Sequence, residues 1–200
     1  MMKKICFTFL LLEFTSLLFC QNLDIKWLRS IYFNRNPSLD QTFIHVTNSV
    51  EPISWAMPLA HIGFGLLKKD KIICNKGFYL ATSILTSAIL STSSKYLIDR
   101  NRPFETYPDI VQLSSAGSPS FPSGHTSAAF NTAMSMTLLY PKWYVGVPLF
   151  TYASLASYSR MHLGVHYPSD VLGGMITGAG SAWLSQYLYK KWFAKYPTKR

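Results

Sequence analysis

Two histidines of the chain lie beside residue types that could support phosphoryl transfer. His125 follows Pro122-Ser123-Gly124, a turn that opens a helix and exposes free backbone N–H groups at the positive end of the helix dipole. Ser123 adds a hydroxyl at this point, and Gly124 lets an anion approach the backbone closely. The tetrapeptide therefore predicts an anion site beside an imidazole that titrates near neutral pH. An ordinary serine N-cap with an interfacial histidine is the alternative.

The second histidine has a carboxylate nearby. Pro168 suits the first position of a helix, so His166 lies just ahead of that helix and Asp170 one turn along from it. A carboxylate at this spacing can hold the far ring nitrogen protonated and leave the other nitrogen free as nucleophile or base. Arg160 adds a fork of N–H donors for phosphate oxygens. His162 could join this group, although an interfacial role is the simpler interpretation for it.

Two further cations come just before Pro103. Lys95 and Arg102 are seven residues apart, a spacing that predicts one shared helix face before Pro103 ends the helix. Cations also flank membrane helices for structural reasons, so this pair has a second interpretation. Together with Arg160 the pair could neutralise a phosphate, while one histidine attacks phosphorus and the other protonates the leaving oxygen. No cysteine or carboxylate cluster offers a metal site, so the prediction is metal-free phosphoryl transfer without a cofactor.

The composition favours a membrane as the place for this chemistry. The 200 residues carry 19 Lys+Arg against 9 Asp+Glu, a net charge of +10, yet only 14% are charged, below the roughly 25% of soluble domains. Apolar residues make up 48% and aromatic residues 15%, which excludes intrinsic disorder. The three cysteines are too far apart for a CxxC site or a disulfide framework. The basic residues cluster at the ends of apolar runs, which favours a membrane over a nucleic acid.

Five apolar stretches predict transmembrane helices at 52–67, 77–94, 126–140, 143–159 and 171–189. Their lengths are near the lower end of the ~17–25 residues that a membrane helix needs. Because each span crosses the membrane once, the basic clusters that follow the first, third and fifth spans all lie on the same side. The positive-inside rule identifies that side as the cytoplasm. The candidate residues then lie on the opposite side. The predicted fold class is an all-α integral membrane bundle of five or six helices with short loops. Buried helices of a soluble α-bundle are the alternative.

The N-terminal residues are predicted to be a targeting segment. Lys3 and Lys4 precede an apolar run that Glu13 interrupts, which fits a cleaved signal peptide or a retained first helix. Residues 23–33 carry apolar side chains at helical spacing and predict an amphipathic helix at the membrane surface, with a helix packed on the spans as the alternative. The predicted layout is a leader at 1–20, a periplasmic or interfacial segment at 21–50, a membrane domain with the candidate site at 51–190 and a basic cytoplasmic tail at 191–200.

Three spacings together resemble the signature motifs of the type 2 phosphatidic acid phosphatase (PAP2) superfamily. They are complete, stand in the family's order and extend from residue 95 to residue 170. The motifs read Lys95-x6-Arg102-Pro103, Pro122-Ser123-Gly124-His125 and Ser159-Arg160-x5-His166-x3-Asp170.

The resemblance implies a role for each motif residue. His166 would be the nucleophile that becomes a phosphohistidine, Asp170 would orient it, and His125 would be the general acid for the leaving group. The phosphoryl oxygens would be bound by a set of cations and helix-start donors: Lys95, Arg102, Arg160, Ser123 and the Gly124 amide. The family's fold is a helical bundle with the site at the outer, membrane-facing mouth.

The resemblance also implies a location and a substrate class. We expect a multi-pass phosphatase of the bacterial inner membrane, with its active site facing the periplasm and lipids as its partners. The candidate substrates within the family include phosphatidic acid, phosphatidylglycerol phosphate, undecaprenyl diphosphate and the phosphates of lipid A. A vanadate-dependent haloperoxidase shares these motifs, although those enzymes resemble soluble proteins. A non-catalytic membrane protein that binds anionic lipid is the third hypothesis.

Overall fold

The computed structural model describes residues 23–193, and all regular secondary structure in this part of the chain is helical. The predicted leader and most of the predicted basic tail lie outside the described residues. The helices are α1 (23–33), α2 (Asp40–Asn48), α3 (Val50–Leu67), α4 (Lys71–Ile98), α5 (Pro103–Thr106), α6 (Gly124–Leu139), α7 (Trp143–His162) and α8 (Pro168–Phe193), with a 3-10 turn at Pro37–Leu39. The all-α class is therefore confirmed.

Polar residues set the beginnings of the long helices. Asp70 caps α4 by accepting hydrogen bonds from the backbone N–H groups of Ile72 and Ile73. Ser123 caps α6, which matches the alternative interpretation of its motif, and Pro168 is the first residue of α8 as predicted. The five predicted apolar stretches fall within α3, α4, α6, α7 and α8, apart from Tyr140, which is the C-cap of α6.

The predicted helix face shared by Lys95 and Arg102 is wrong. Helix α4 ends at Ile98 because Asp99 takes a left-handed conformation (φ 47°), and its backbone N–H bonds to the carbonyl of Lys95. Arg102 is extended (φ −77°, ψ 160°) and stands as the N-cap of α5, so Pro103 begins a helix instead of ending one. Arg102 therefore reaches the site from a loop.

Helix α6 is central and packs on α8, α4 and α7, while α3 packs mainly on α4. Glycines of α8 let the beginning of α6 approach closely. A Cβ at Gly174 would lie 2.7 Å from the carbonyl oxygen of Ser123, and one at Gly178 would overlap the carbonyl of Ser127. Asn131 of α6 adds hydrogen bonds to the carbonyl of Gly178 (3.2 Å) and to Ser83 of α4 (2.8 Å). These contacts fix the beginning of α6 against the beginning of α8.

The helices bury small polar side chains and expose large apolar ones. Ser83 and Ser135 bond to each other across α4 and α6 at 2.9 Å, while Leu67 and Leu97 are more than four-fifths exposed. This distribution is the reverse of a soluble core and is typical of helices that pack within a membrane. By length and composition alone, one helical stretch of the described residues, Lys71–Thr106, could cross a membrane.

The ends of the bundle differ in charge. Lys76 at the beginning of α4 lies over the ring of Tyr140 at the end of α6, 4.3 Å from its centroid. Gln186 of α8 donates to the carbonyl of Leu138 near the same point. The basic residues that precede α4, follow α6 and stand in the last turn of α8 therefore lie at one end, and the candidate site residues lie at the other.

Helix α1 packs on the site end of the bundle. Ile25, Leu28 and Tyr32 are buried in a cluster with Ile110 and Tyr167, which matches the alternative of a packing helix. Several apolar side chains of the same helix are nevertheless exposed: Leu23, Trp27 and Phe33. A position of this exposed face at a membrane surface stays a prediction.

Candidate active site

One cavity of about 450 Å³ brings most of the motif residues together. It lies at the end of the bundle where α4 and α7 end and α6 begins. Six motif residues line it: Lys95, Arg102, Gly124, His125, Arg160 and His166. Asp170 and Ser123 stand just behind this lining. Residues of all three motifs therefore meet at one cavity.

His166 lies in the loop between α7 and α8 and is almost fully buried. Its Nδ1 is 3.3 Å from a carboxylate oxygen of Asp170, and its Nε2 is 3.3 Å from the guanidinium of Arg102. Burial lowers the pKa of the His166 imidazole to about 3, and the bond to Asp170 offsets this only in part. A neutral ring that donates Nδ1–H to Asp170 and accepts from Arg102 carries its lone pair on Nε2. The Nε2 nitrogen is thus unprotonated, which is the state that a nucleophilic nitrogen requires.

Asp170 is fixed from several sides. One carboxylate oxygen accepts a hydrogen bond from Arg100 at 2.7 Å. The other accepts from the hydroxyl of Ser120 at 2.5 Å and from the backbone N–H of Tyr167 at 2.9 Å. Because the carboxylate is fully buried, these donors hold it charged and keep it directed at His166.

A second buried carboxylate, Asp24 of α1, continues this network and was missed by the sequence reasoning. It pairs with Arg100 at 2.6 Å, the same arginine that binds Asp170. It also accepts hydrogen bonds from the backbone N–H of Ser169 (2.9 Å) and from its hydroxyl. Asp24 stands at helical spacing with Leu28, on the buried face of α1, and a carboxylate on such a face requires a charged partner. This position of Asp24 on the apolar face is the sequence feature that could have predicted its buried ion pair.

The three candidate phosphate-binding cations are buried without a carboxylate partner. Lys95 donates to the carbonyl of Pro119 (2.5 Å), and Arg102 donates to the carbonyls of Ser118 and Val165. Arg160 donates to the hydroxyl of Thr47 (2.8 Å), and its Nε has no partner. None of these cations belongs to a salt bridge between described residues. Concentrated positive charge of this kind requires an anion.

Two residues of the second motif line the cavity, and a third stabilises the helix end that carries them. His125, in the first turn of α6, lines the cavity together with Gly124. The hydroxyl of Ser123 accepts from the backbone N–H and the hydroxyl of Thr126, so it caps α6 and does not line the cavity. The backbone N–H of Ser123 donates to the carbonyl of Asp170 (3.0 Å), which ties the beginnings of α6 and α8 together.

His162 does not join the site. Its Nε2 lies 2.7 Å from a carboxylate oxygen of Asp40, and its ring packs on Phe43 with 4.4 Å between centroids. These contacts attach α2 to the end of α7, so His162 is a packing residue. Among the described residues, no group of three or more His, Cys, Asp or Glu side chains that could hold a metal ion is present.

The cavity continues beyond the motifs along α3 and α4. Glu51, in the first turn of α3, is the one carboxylate among the residues that line it. Trp55 of α3 and Thr92 of α4 also line it and are exposed on the outer surface. The cavity therefore opens sideways between these two helices.

The model of the PAP2 superfamily matches residues 76–194. This chain belongs to the PAP2 superfamily. The PAP2 match covers all three motifs, while α1, α2 and α3 precede it. The predicted family and the predicted class of enzyme, a phosphoric ester hydrolase, are confirmed.

Relatives of this PAP2 chain are named as phosphatases. An undecaprenyl-diphosphatase of Sulfolobus acidocaldarius is 27% identical over 163 residues, which cover 81% of this chain and 76% of the relative. A lipid A 4′-phosphatase of Bacteroides thetaiotaomicron is 26% identical over 188 residues, covering 88% and 81%.

Two solved PAP2 structures share the fold. LpxE of Aquifex aeolicus superposes with a TM-score of 0.68 at 28% identity, covering 82% of this chain and 95% of that one. The transmembrane PAP2 type phosphatidylglycerolphosphate phosphatase of Bacillus subtilis superposes with a TM-score of 0.72 at 25% identity, covering 90% and 89%.

Proposed function

We propose that this PAP2 chain is a phosphatase of the bacterial inner membrane that hydrolyses a lipid phosphate or diphosphate through a phosphohistidine. One observation carries the proposal: two histidines and three cations without carboxylate partners converge on a cavity that opens sideways between two helices with apolar outer surfaces. A lipid can enter such an opening with its chains in the membrane and its phosphate among the cations. The relatives are named as phosphatases of undecaprenyl diphosphate, lipid A and phosphatidylglycerol phosphate, and these names support a lipid substrate.

The first chemical step forms the phosphohistidine. The Nε2 lone pair of His166 attacks phosphorus, and the bond between phosphorus and the lipid oxygen breaks. His125 donates a proton to that oxygen, which leaves as the lipid alcohol or, from a diphosphate, as the lipid monophosphate. Asp170 stabilises the positive charge that develops on the ring of His166, because it accepts the Nδ1–H.

The second step releases inorganic phosphate. A water molecule attacks phosphorus, His125 takes its proton, and the bond between phosphorus and Nε2 breaks. In both steps the phosphoryl oxygens carry negative charge that Lys95, Arg102 and Arg160 neutralise at fixed positions. The Gly124 amide at the positive end of α6 adds a backbone donor, with Ser123 fixing that helix end.

The charge distribution supports a periplasmic site. The basic clusters Lys68–Lys76, Lys142 and Lys190–Lys191 belong to the end of the bundle opposite the cavity. By the positive-inside rule that end faces the cytoplasm, so the cavity faces the periplasm. We extend the proposal to the layout in which 51–190 is the membrane domain of five helices, 21–50 lies on its outer face, and 191–200 is cytoplasmic.

Release of phosphate from a panel of lipid phosphates tests the proposal. Purified protein in detergent should liberate inorganic phosphate from at least one lipid phosphate or diphosphate, and His166→Ala should abolish that release. Quenching of the wild type and ³²P-labelled substrate in alkaline SDS should trap a labelled protein whose label is stable in base and lost in acid, as expected of a phosphohistidine. Absence of hydrolysis across the panel, or an unchanged rate in His166→Ala, would contradict the proposal.

A further inference from the structure

Two serine hydroxyls of α4 face the cavity without a hydrogen-bond partner. Ser87 and Ser91 are 2% and 4% exposed, both line the cavity, and neither hydroxyl oxygen has a partner within the protein. Buried hydroxyls normally form hydrogen bonds, because burial removes them from water. Two unpartnered hydroxyls on one wall of one cavity therefore indicate a ligand that supplies the missing contacts.

Three other hydroxyls of α4 have partners. Ser83, one turn before Ser87, bonds to Ser135 at 2.9 Å. Thr82 and Thr86, on the outer side, bond to backbone carbonyls one turn earlier in their own helix, at 3.0 and 2.9 Å. Within α4, these three hydroxyls are thus satisfied, whereas the two buried hydroxyls on the cavity wall are not.

The two serines stand in line with a phosphate-binding cation. Ser87, Ser91 and Lys95 are spaced four residues apart and share one face of α4. Each step of four residues rises about 6 Å along the helix axis. A phosphate held at the Lys95 end therefore places the next few atoms of its lipid beside Ser91, and atoms one turn deeper beside Ser87.

We propose that Ser87 and Ser91 form a subsite for the carbonyl oxygens of an acyl lipid, so that the preferred substrate is an acyl-linked lipid phosphate. This proposal rests on the function proposed above and narrows its substrate class. In an acyl glycerophosphate or an acylated sugar phosphate, ester or amide carbonyls lie a few bonds from the phosphate and can accept hydrogen bonds from both serines. A polyprenyl diphosphate places its second phosphate, and no carbonyl, at the distance of Ser91, and only hydrocarbon at the distance of Ser87, which leaves the Ser87 hydroxyl unsatisfied.

The experiment compares two lipids that differ only in those carbonyls. Dioleoyl phosphatidic acid and its dialkyl ether analogue have the same phosphate and the same chain length, and each is assayed in detergent micelles by phosphate release. We expect wild-type kcat/KM to be at least about fivefold higher for the ester lipid, as the loss of a hydrogen-bond acceptor for buried donors requires. The double variant Ser87→Ala/Ser91→Ala should lose that preference by slowing on the ester lipid alone.

Ser185→Ala is the matched control. Ser185 of α8 is also buried and also without a partner for its hydroxyl, but it does not line the cavity. We expect this variant to keep the wild-type preference between the two lipids. A decrease of equal size on both lipids in the double variant would show a structural role for the serines and overturn the subsite.

The remaining outcomes separate the subsite from the proposed function. Equal wild-type rates on the ester and ether lipids, or hydrolysis of a polyprenyl diphosphate alone, would overturn the subsite while leaving a lipid phosphatase. No phosphate release from these three lipids or from any other lipid of the panel would overturn the proposed function and the subsite with it.

Discussion

Replacement of Asp24 by asparagine tests whether α1 acts on the reacting histidine. Asp24 lies before the range that the family model matches. It is nevertheless linked to Asp170, because Arg100 forms an ion pair with both carboxylates. The asparagine side chain has almost the same shape as the carboxylate that it replaces, and it removes the negative charge. Arg100 would then be balanced by Asp170 alone, and we expect it to pull that carboxylate away from His166.

The size of the effect follows from the bonds that change. A hydrogen bond to a charged group contributes about 1.5–3 kcal/mol, and the lower end applies because Arg100 keeps Asp170 as a partner and is partly exposed. A loss of about 1.4 kcal/mol of transition-state stabilisation lowers kcat about tenfold. KM should change little, because Asp24 does not line the cavity that holds the phosphate-binding cations.

Asp109→Asn provides the matched control. Asp109 forms a two-bond salt bridge with Arg29 at 2.8 and 3.0 Å, so it also ties α1 to the segment after α4, but this pair is exposed and does not touch Asp170. We expect Asp109→Asn to keep kcat within about twofold, since exposed pairs contribute little. Steady-state kinetics of both variants with p-nitrophenyl phosphate and a lipid phosphate measure the difference. Equal losses in the two variants, or a raised KM with unchanged kcat in Asp24→Asn, would refute the reasoning.

Four further predictions concern the reaction and the topology. His166→Ala should lose activity on every substrate, whereas His125→Ala should lose far more on a lipid phosphate than on p-nitrophenyl phosphate, whose leaving group needs no proton; parallel losses in kinetic assays would leave the two roles unsupported. Because burial lowers the pKa of His166 to about 3, its ring should stay neutral from pH 8 down to pH 5 in NMR titrations assigned with His166→Ala, and a midpoint near 6.5 would contradict this. EDTA should leave phosphate release unchanged, since protein cations neutralise the phosphate, and vanadate should inhibit; activity restored by Mg²⁺ after EDTA would contradict the mechanism. Alkaline phosphatase fused after Gly117 should be active and fused after Arg200 inactive, and the reverse activities would invert the proposed orientation.

Local rules account for the parts of the site that the sequence predicts correctly. Ser123 caps α6 and Pro168 begins α8 because each meets a requirement of the adjoining helix end. Once α8 begins at Pro168, Asp170 stands in its first turn and reaches back to the backbone N–H of Tyr167 and the ring of His166. The apolar stretches likewise determine where the long helices run.

The sequence could not predict the contacts that depend on chain reversals and distant pairs. The six residues between Lys95 and Arg102 are compatible both with two continuous helical turns and with a helix end followed by a loop. The left-handed conformation of Asp99 decides between the two. Arg100 and Asp24 are 76 residues apart, and no local periodicity links them. The unpartnered state of Ser87 is also a property of the packed bundle, since α4 alone would expose it.

The distribution of charge around His166 connects the fold to the proposed reaction. Arg100 is paired with two carboxylates behind the ring, while Arg102, two residues later, contacts carbonyls and the Nε2 face of the same ring. The left-handed turn at Asp99 ends α4 just before these arginines and lets them face opposite sides of the site. Negative charge therefore lies on the Nδ1 side of the imidazole and positive charge on the Nε2 side. Attack on phosphorus moves electrons from the first side toward the second, so both sides stabilise the same transition state. An exchange of the two roles, with a carboxylate beside Nε2, would repel the phosphate that the ring must attack.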